Sequence, residues 1–430
     1  MTDTAITRVH ARRVWDSRGR PTVEVEVTLA DGSTGRGIAP AGASRGSREA
    51  IDLRDGGPKL GGLDVMRAVA NVNGEIARAL AGQDARDQAA VDRILIALDG
   101  TPNKARLGGN ATTAVSLAVL HSSAASAREP LWKRVSEGFP VSMPLPEIQI
   151  FGGGAHAGRR VDIQDFMVMP LGAATFAEAL EMTAEVYLAA GALMKAAGKL
   201  AGVADEGGWW PVFDANEEAL GMLTRSIEHA GFGYEDMAIS LDIAASEFGG
   251  TGAGAAGCYL LGLEKRELDT AGMIDMLGAW LDAYPIVSIE DPLAEDDEAG
   301  LVEFTRRYGA RCQVIGDDYL VTSSARVEHA ARVGAVNSAL IKLNQSGTVT
   351  ETKAALDAAK RAGMSALVSA RSGETEDVSI THLAIGWNAG QLKVGSFARS
   401  ERMAKWNEAL RIEEATLAPF AGRRALAQSS

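Results

Sequence analysis

The chain has 430 residues, 46% of them hydrophobic and 23% charged, with a formal net charge of -13. That length admits two or three domains, or one small domain and one barrel, around a large buried core. An acidic balance without any Lys/Arg-rich run excludes a nonspecific nucleic-acid binder as the leading reading, but it leaves a small anionic substrate open. The two cysteines, Cys258 and Cys312, form neither a metal-type spacing nor a disulfide framework, so a reducing compartment, the cytoplasm, is expected. Residues 1–20 lack the apolar stretch of a secretory leader, and no apolar run is long enough to span a bilayer, so no membrane partner is expected.

In chain order, Pro21–Leu29 reads PTVEVEVTL, with Val23, Val25 and Val27 on one face and Glu24 and Glu26 on the other, which predicts a half-buried strand. A loop of small residues, APAGASRGS, follows at 39–47, and residues 110–127, rich in Ala, Leu and Val, predict a helix. The proline-rich segment FPVSMPLP at 139–146 reads as a linker, dividing the chain into units 1–138 and 139–430.

Beyond the linker, short apolar runs each end in one charged residue, and helical stretches separate them. The runs are AISLD at Asp242, PIVSIE at Glu290, QVIGD at Asp317, SALIK at Lys342, SALVSAR at Arg371 and QLK at Lys393. Strands alternating with helices predict an α/β architecture with a mostly parallel sheet, and this many units favour a barrel. A barrel gathers functional groups at the C-terminal ends of its strands, so the six charges should converge. The segment GAGAAG at 252–257 satisfies a nucleotide-binding pattern literally, but FGGT precedes it and a strand-like CYLL follows, so it reads as a turn.

Asp242, Glu290 and Asp317 form an all-oxygen donor set suited to Mg²⁺ or Mn²⁺ rather than Zn²⁺. A lysine beside a divalent cation has a depressed pKa, which makes Lys342 or Lys393 a candidate general base. Arg371 and Ser372 offer a fork and a hydroxyl to a phosphate or carboxylate.

At these residues the chain resembles the enolase (phosphopyruvate hydratase) family. The matching segments are DSRGRPTVEVEV (16–27), VADEGG (203–208), LDIAASEF (241–248), PIVSIEDPLAEDD (285–297), IKLNQSGT (341–348), RSGETED (371–377) and ARSER (398–402). The resemblance implies a small α+β N-terminal domain, a modified TIM barrel and a homodimer. It also implies two Mg²⁺ per site and abstraction of the α-proton from a small phosphorylated acid. By position, Asp242, Glu290 and Asp317 resemble the ligands of the tighter Mg²⁺, and Ser44 the lid serine that reaches the second. Lys342 resembles the base, Lys393 the cation on the carboxylate, and Glu206 the acid at the departing hydroxyl. Arg371 and Ser372 resemble phosphate contacts, and His156, in GGGAHAG, resembles the mobile-loop histidine on the substrate.

Several positions depart from the family pattern. Asp165 stands for a glutamate near the leaving hydroxyl and Ala370 for a histidine beside the substrate. The lid carries Ala41 and Arg45, Arg48 replaces a histidine, and Trp209 and Trp210 replace small apolar residues. One expectation is a site retuned for a phosphonylated substrate, as in carboxyphosphonoenolpyruvate synthase, with Arg45 binding the extra anionic group. The alternatives are an ordinary enolase with tolerated substitutions, and a catalytically weak binding protein.

Overall fold

The computed structural model describes residues 2–250 and 255–426. Three antiparallel strands open the chain: β1 (Ile6–Trp15), β2 (Pro21–Leu29) and β3 (Thr34–Ile38), with β2 central. The β1–β2 turn is closed by Asp16, whose Oδ1 accepts from the amides of Arg18 and Arg20, both at 2.9 Å. Val23, Val25 and Val27 are fully buried, as their alternation predicts. Glu24 is buried too, contrary to the half-buried expectation, because arginines of both neighbouring strands, Arg12 and Arg36, close over it. The helix Gly109–Ala127 is buried along most of its length. Its small side chains let it sit between this sheet and the second unit, with Val115 and Val119 in one core and Leu117 and Leu120 in the other.

The second unit is a closed eight-stranded barrel. Its strands are β4 (Leu145–Gly152), β5 (Asp165–Met169), β6 (Ala238–Asp242), β9 (Ile286–Glu290), β10 (Gln313–Gly316), β11 (Ser338–Ile341), β12 (Ser365–Ser369) and β13 (Gly390–Ser396). Around the barrel the order is β10-β11-β12-β13-β4-β5-β6-β9. A separate hairpin, β7 (Cys258–Leu261) and β8 (Arg266–Asp269), lies outside it. The predicted linker is shorter than its prolines suggest, because Leu145 and Pro146 already belong to β4. Thr251 and the first half of GAGAAG lie outside the described residues, and the segment leads into β7 rather than a helix, as expected of a turn.

All barrel pairings are parallel except those of β5, which runs antiparallel to both β4 and β6. That reversal brings the first residue of β5, Asp165, to the end of the barrel where β6 finishes, opposite Asp242. The period of two along a strand then explains the layering. Ser288, Gln313, Ser338 and Ser365 are hydrogen-bonded across four adjacent strands. Two residues further along, Ile315, Leu340 and Leu367 form a small apolar cluster of their own. Another two residues on come Asp317, Lys342 and Ser369. The functional side chains thus share a face with, and rest on, a packed plug.

Candidate active site

Asp242 and Glu290 are the last residues of β6 and β9, and Asp317 and Lys342 immediately follow β10 and β11. Arg371 lies two residues beyond β12. Lys393 differs from expectation: β13 continues to Ser396, so this lysine sits inside its strand, where the register against β4 shifts between Lys393 and Gly395. Its long stem still delivers the ammonium, with Nζ 2.9 Å from Asp242 Oδ2 and 2.7 Å from Glu290 Oε2. Lys342 Nζ donates to Asp317 Oδ2, and Gln345 Nε2 donates to Asp317 Oδ1 at 2.7 Å.

All six of the strand-end charges are buried. Burial alone would lower the pKa of both lysines, but the carboxylates outweigh it: Asp317 leads for Lys342, and Asp242 with Glu290 for Lys393, and both lysines are raised. The depressed lysine pKa expected beside a divalent cation belongs to the metal-loaded site; with the carboxylates alone facing them, both ammoniums are raised. Burial and the neighbouring Asp242 push Glu290 well above the ordinary carboxylate range.

The expected metal ligands do not close into one compact set. Among the described residues, the groups whose ligand atoms lie within 4.8 Å of one another are His156, Asp165 and Glu206, and Asp291, Asp317 and Asp318. Asp242 and Glu290 instead converge on Lys393, and Asp317 on Lys342. The donor chemistry still suits a hard dication. Glu290 Oε1 is buried without a hydrogen-bond partner, and Asp242 and Asp317 both act to raise the Glu290 pKa, the signature of negative charge that a cation would compensate.

His156 is buried between two partners. Its Nδ1 lies 3.0 Å from Asp165 Oδ1 and its Nε2 3.0 Å from Ser372 Oγ, with Glu206 Oε1 at 3.7 Å. Burial would lower its pKa, but Glu206 and Asp165 raise it to about 9. It is thus an imidazolium at neutral pH, and both ring nitrogens donate. Asp165 is held low by His156 and Lys393 against its own burial. Its Oδ1 accepts from both Gln149 Nε2 and His156, while its Oδ2 is buried without a hydrogen-bond partner, 3.5 Å from Lys393 Nζ.

Arg371 is buried and engaged, donating to Glu49 Oε2 at 2.8 Å, Asn344 Oδ1 at 3.1 Å and the Ser44 carbonyl at 2.9 Å. Ser372 Oγ also accepts from the amide of Ala43, tying the small-residue loop to the barrel mouth. Ser44, His156, Asp165, Glu206, Asp242, Lys342, Ala370, Arg371, Ser372 and Lys393 all line one space of about 20 Å³, room for little more than one water.

Arg45 does not join them. It is exposed and lines a neighbouring cleft with Glu49, Asp52 and Asn110. Arg48 is also exposed and turns to Glu295, 3.8 Å away. Neither side chain lines the space shared by the other site residues.

Sequence reasoning overlooked Gln164, which donates to Asp242 Oδ2 at 3.0 Å, together with Glu49, Gln149 and Gln345. Asp291 and Asp318 were also overlooked. Asp291 accepts the amides of Asp317 and Asp318 at 2.9 and 2.8 Å and so joins two strand ends. The doubled acids Glu290–Asp291 and Asp317–Asp318 were the available signal for that pair.

This geometry agrees with the comparisons. Residues 6–135 match the enolase N-terminal domain and residues 140–429 the enolase C-terminal TIM barrel domain. The chain belongs to the enolase family. It is 50% identical over 412 residues to "Enolase 1" of Desulfitobacterium hafniense (strain Y51), covering 95% of this chain and 94% of that protein. It is an enolase-type carbon–oxygen lyase. Among the described residues no helix is long and apolar enough to cross a membrane.

Proposed function

We propose that this enolase performs the ordinary reaction of its family, the Mg²⁺-dependent conversion of 2-phosphoglycerate to phosphoenolpyruvate and water. The observation that carries this reading is the pairing of two buried lysines with three carboxylates at the barrel mouth. Asp242, Glu290 and Asp317 would hold Mg²⁺, with Ser44 contributing to a second ion from the loop. Bound there, the cations supply compensation for the charge that develops on the substrate carboxylate.

With Asp317 committed to a cation, the Lys342 ammonium would lose the carboxylate that holds its proton, and as the free amine it takes the proton from the carbon beside the carboxylate. The C–H electron pair moves into the carboxylate, whose oxygens lie by Lys393. It then returns to form the double bond as the β-hydroxyl leaves, taking a proton from Glu206 to depart as water. Arg371, Ser372 and the His156 imidazolium receive the phosphate. A three-carbon phosphorylated acid exceeds the space between these groups, so the loop at 39–47 must withdraw for entry. The division at 138/139 belongs to the same proposal, with the first unit supplying that loop and the barrel supplying the remaining groups.

The phosphonate reading draws on the departures at Asp165 and Ala370 together with Arg45 and Arg48, and neither arginine lines the space shared by the other site residues. Asp165 still joins the site, with His156 and Gln149 on its Oδ1 and Lys393 Nζ 3.5 Å from its Oδ2. Comparison of kcat/KM for 2-phosphoglycerate and for its carboxyphosphono counterpart tests the assignment, and preference for the latter would overturn it. Arg45→Ala is expected to change KM for 2-phosphoglycerate less than about twofold, since exposed charges away from a contact contribute little. A tenfold rise would place Arg45 on the substrate after all.

A further inference from the structure

Glu206 sits on a turn whose shape is set by side chains far from the reacting groups. Its neighbour Gly207 has φ +97°, and a Cβ there would lie 2.4 Å from the Ala398 carbonyl oxygen. The turn is stitched by Ala204 N–H to Gly208 O at 2.7 Å and Gly207 N–H to Ala204 O at 3.1 Å. Tyr187, on the helix Phe176–Ala196, donates its hydroxyl to the Gly207 carbonyl at 3.0 Å. Burial raises the Tyr187 pKa to about 12, so it remains a donor throughout the working range.

Trp209 locks that tyrosine from the other side. Its indole stacks on the Tyr187 ring, with centroids 4.8 Å apart and planes 19° from parallel, and its Nε1 donates to the Tyr187 carbonyl at 3.0 Å. One helical turn along, position 191 is glycine, and a Cβ there would meet Trp209 Cζ2 at 2.6 Å. Glycine inside a helix is unfavourable relative to alanine, and here it makes room for the indole. The Trp209 amide donates to Ile150 O at 2.8 Å, fastening the far end of the turn to β4. On the same strand, Gln149 accepts from Gly208 N–H at 2.9 Å and donates to Asp165.

The geometry points to Tyr187 and Trp209 as positioning residues for the dehydration step, clamping the turn that aims Glu206 at the leaving hydroxyl. The inference rests on the reading of Glu206 as the acid. The clamp holds the backbone that follows Glu206, at Gly207 and Trp209, and has no hydrogen bond to Lys342, so it separates the two halves of the reaction. Loss of the clamp slows departure of the hydroxyl and leaves removal of the α-proton at its former rate.

The test uses the full chain with Mg²⁺ and 2-phosphoglycerate, in the wild type, Tyr187→Phe and Gly191→Ala. Tyr187→Phe keeps the stack and deletes one hydrogen bond; Gly191→Ala favours the helix but displaces the indole. Both are expected to lower the rate of phosphoenolpyruvate formation about tenfold, in keeping with small misplacement of a reacting group. KM and solvent exchange of the α-proton should stay within about twofold. Undiminished formation, or a parallel fall in exchange and formation, would overturn the clamp. Amide hydrogen exchange supplies a readout independent of turnover: residues 204–209 should lose protection in Tyr187→Phe, and unchanged protection would also overturn it. If the wild type neither exchanges nor dehydrates, the assigned reaction fails, while amide protection still decides the clamp.

Discussion

Lys342→Ala is expected to abolish solvent exchange of the α-proton and to lower turnover of 2-phosphoglycerate by about 10³- to 10⁴-fold, the upper range for loss of a general base. The ammonium is buried, lies against Asp317, and lines the same space as Glu206 and Lys393. Of the two buried lysines, Lys393 is committed to Asp242 and Glu290 together, whereas Lys342 has a single carboxylate partner. It is therefore the one that a cation on Asp317 would release. Breaking a buried ion pair costs about 3–5 kcal/mol, so thermal unfolding must accompany the kinetics to show that the variant is folded. Gln345 still donates to Asp317 in the variant and limits that cost. Exchange at the wild-type rate in a folded Lys342→Ala protein would move the base elsewhere.

Glu290→Gln should weaken Mg²⁺ binding by more than about 100-fold, above the effect of altering a group that only orients a metal ligand. Glu290 keeps one buried oxygen without a hydrogen-bond partner, while its other oxygen meets Lys393. The amide keeps the shape but removes the charge, so calorimetry reads the electrostatic contribution directly. Asp318→Asn is the informative control. Asp318 belongs to the compact Asp291–Asp317–Asp318 group, and burial together with Asp317 pushes its pKa well above the carboxylate range. Loss of affinity in Asp318→Asn with retention in Glu290→Gln would put the ion in that group and refute the Asp242–Glu290–Asp317 assignment.

Much of the site was legible before any tertiary contact was known, for a local reason. The strands leading to Asp242, Glu290, Asp317 and Lys342 are mostly apolar and carry no charge before their ends, so a charge there stands out. Lys393 was legible for the same reason although it lies inside its strand, because its length hides the offset. The layered plug of Ile315, Leu340 and Leu367 below these residues follows from the same period of two once the strands close on one another.

The sequence alone determined the fold family, the alternation of strands and helices, and the identity of the charged groups at the barrel mouth, because each is encoded within one short segment. The tertiary structure decided how those groups are used. The reversal of β5, which brings Asp165 to the mouth, depends on pairing with strands on both sides. That Arg45 and Arg48 stay out of the space shared by the other site residues, with Arg48 beside Glu295, depends on how their loop packs. The grip of Tyr187 and Trp209 on the turn of Glu206 joins a helix to a loop about 20 residues later in the chain, through one hydroxyl and one stacked ring. Periodicity reports which face of an element is apolar; it carries nothing about which distant side chain will arrive to satisfy a buried polar atom, and that requirement sets the geometry here.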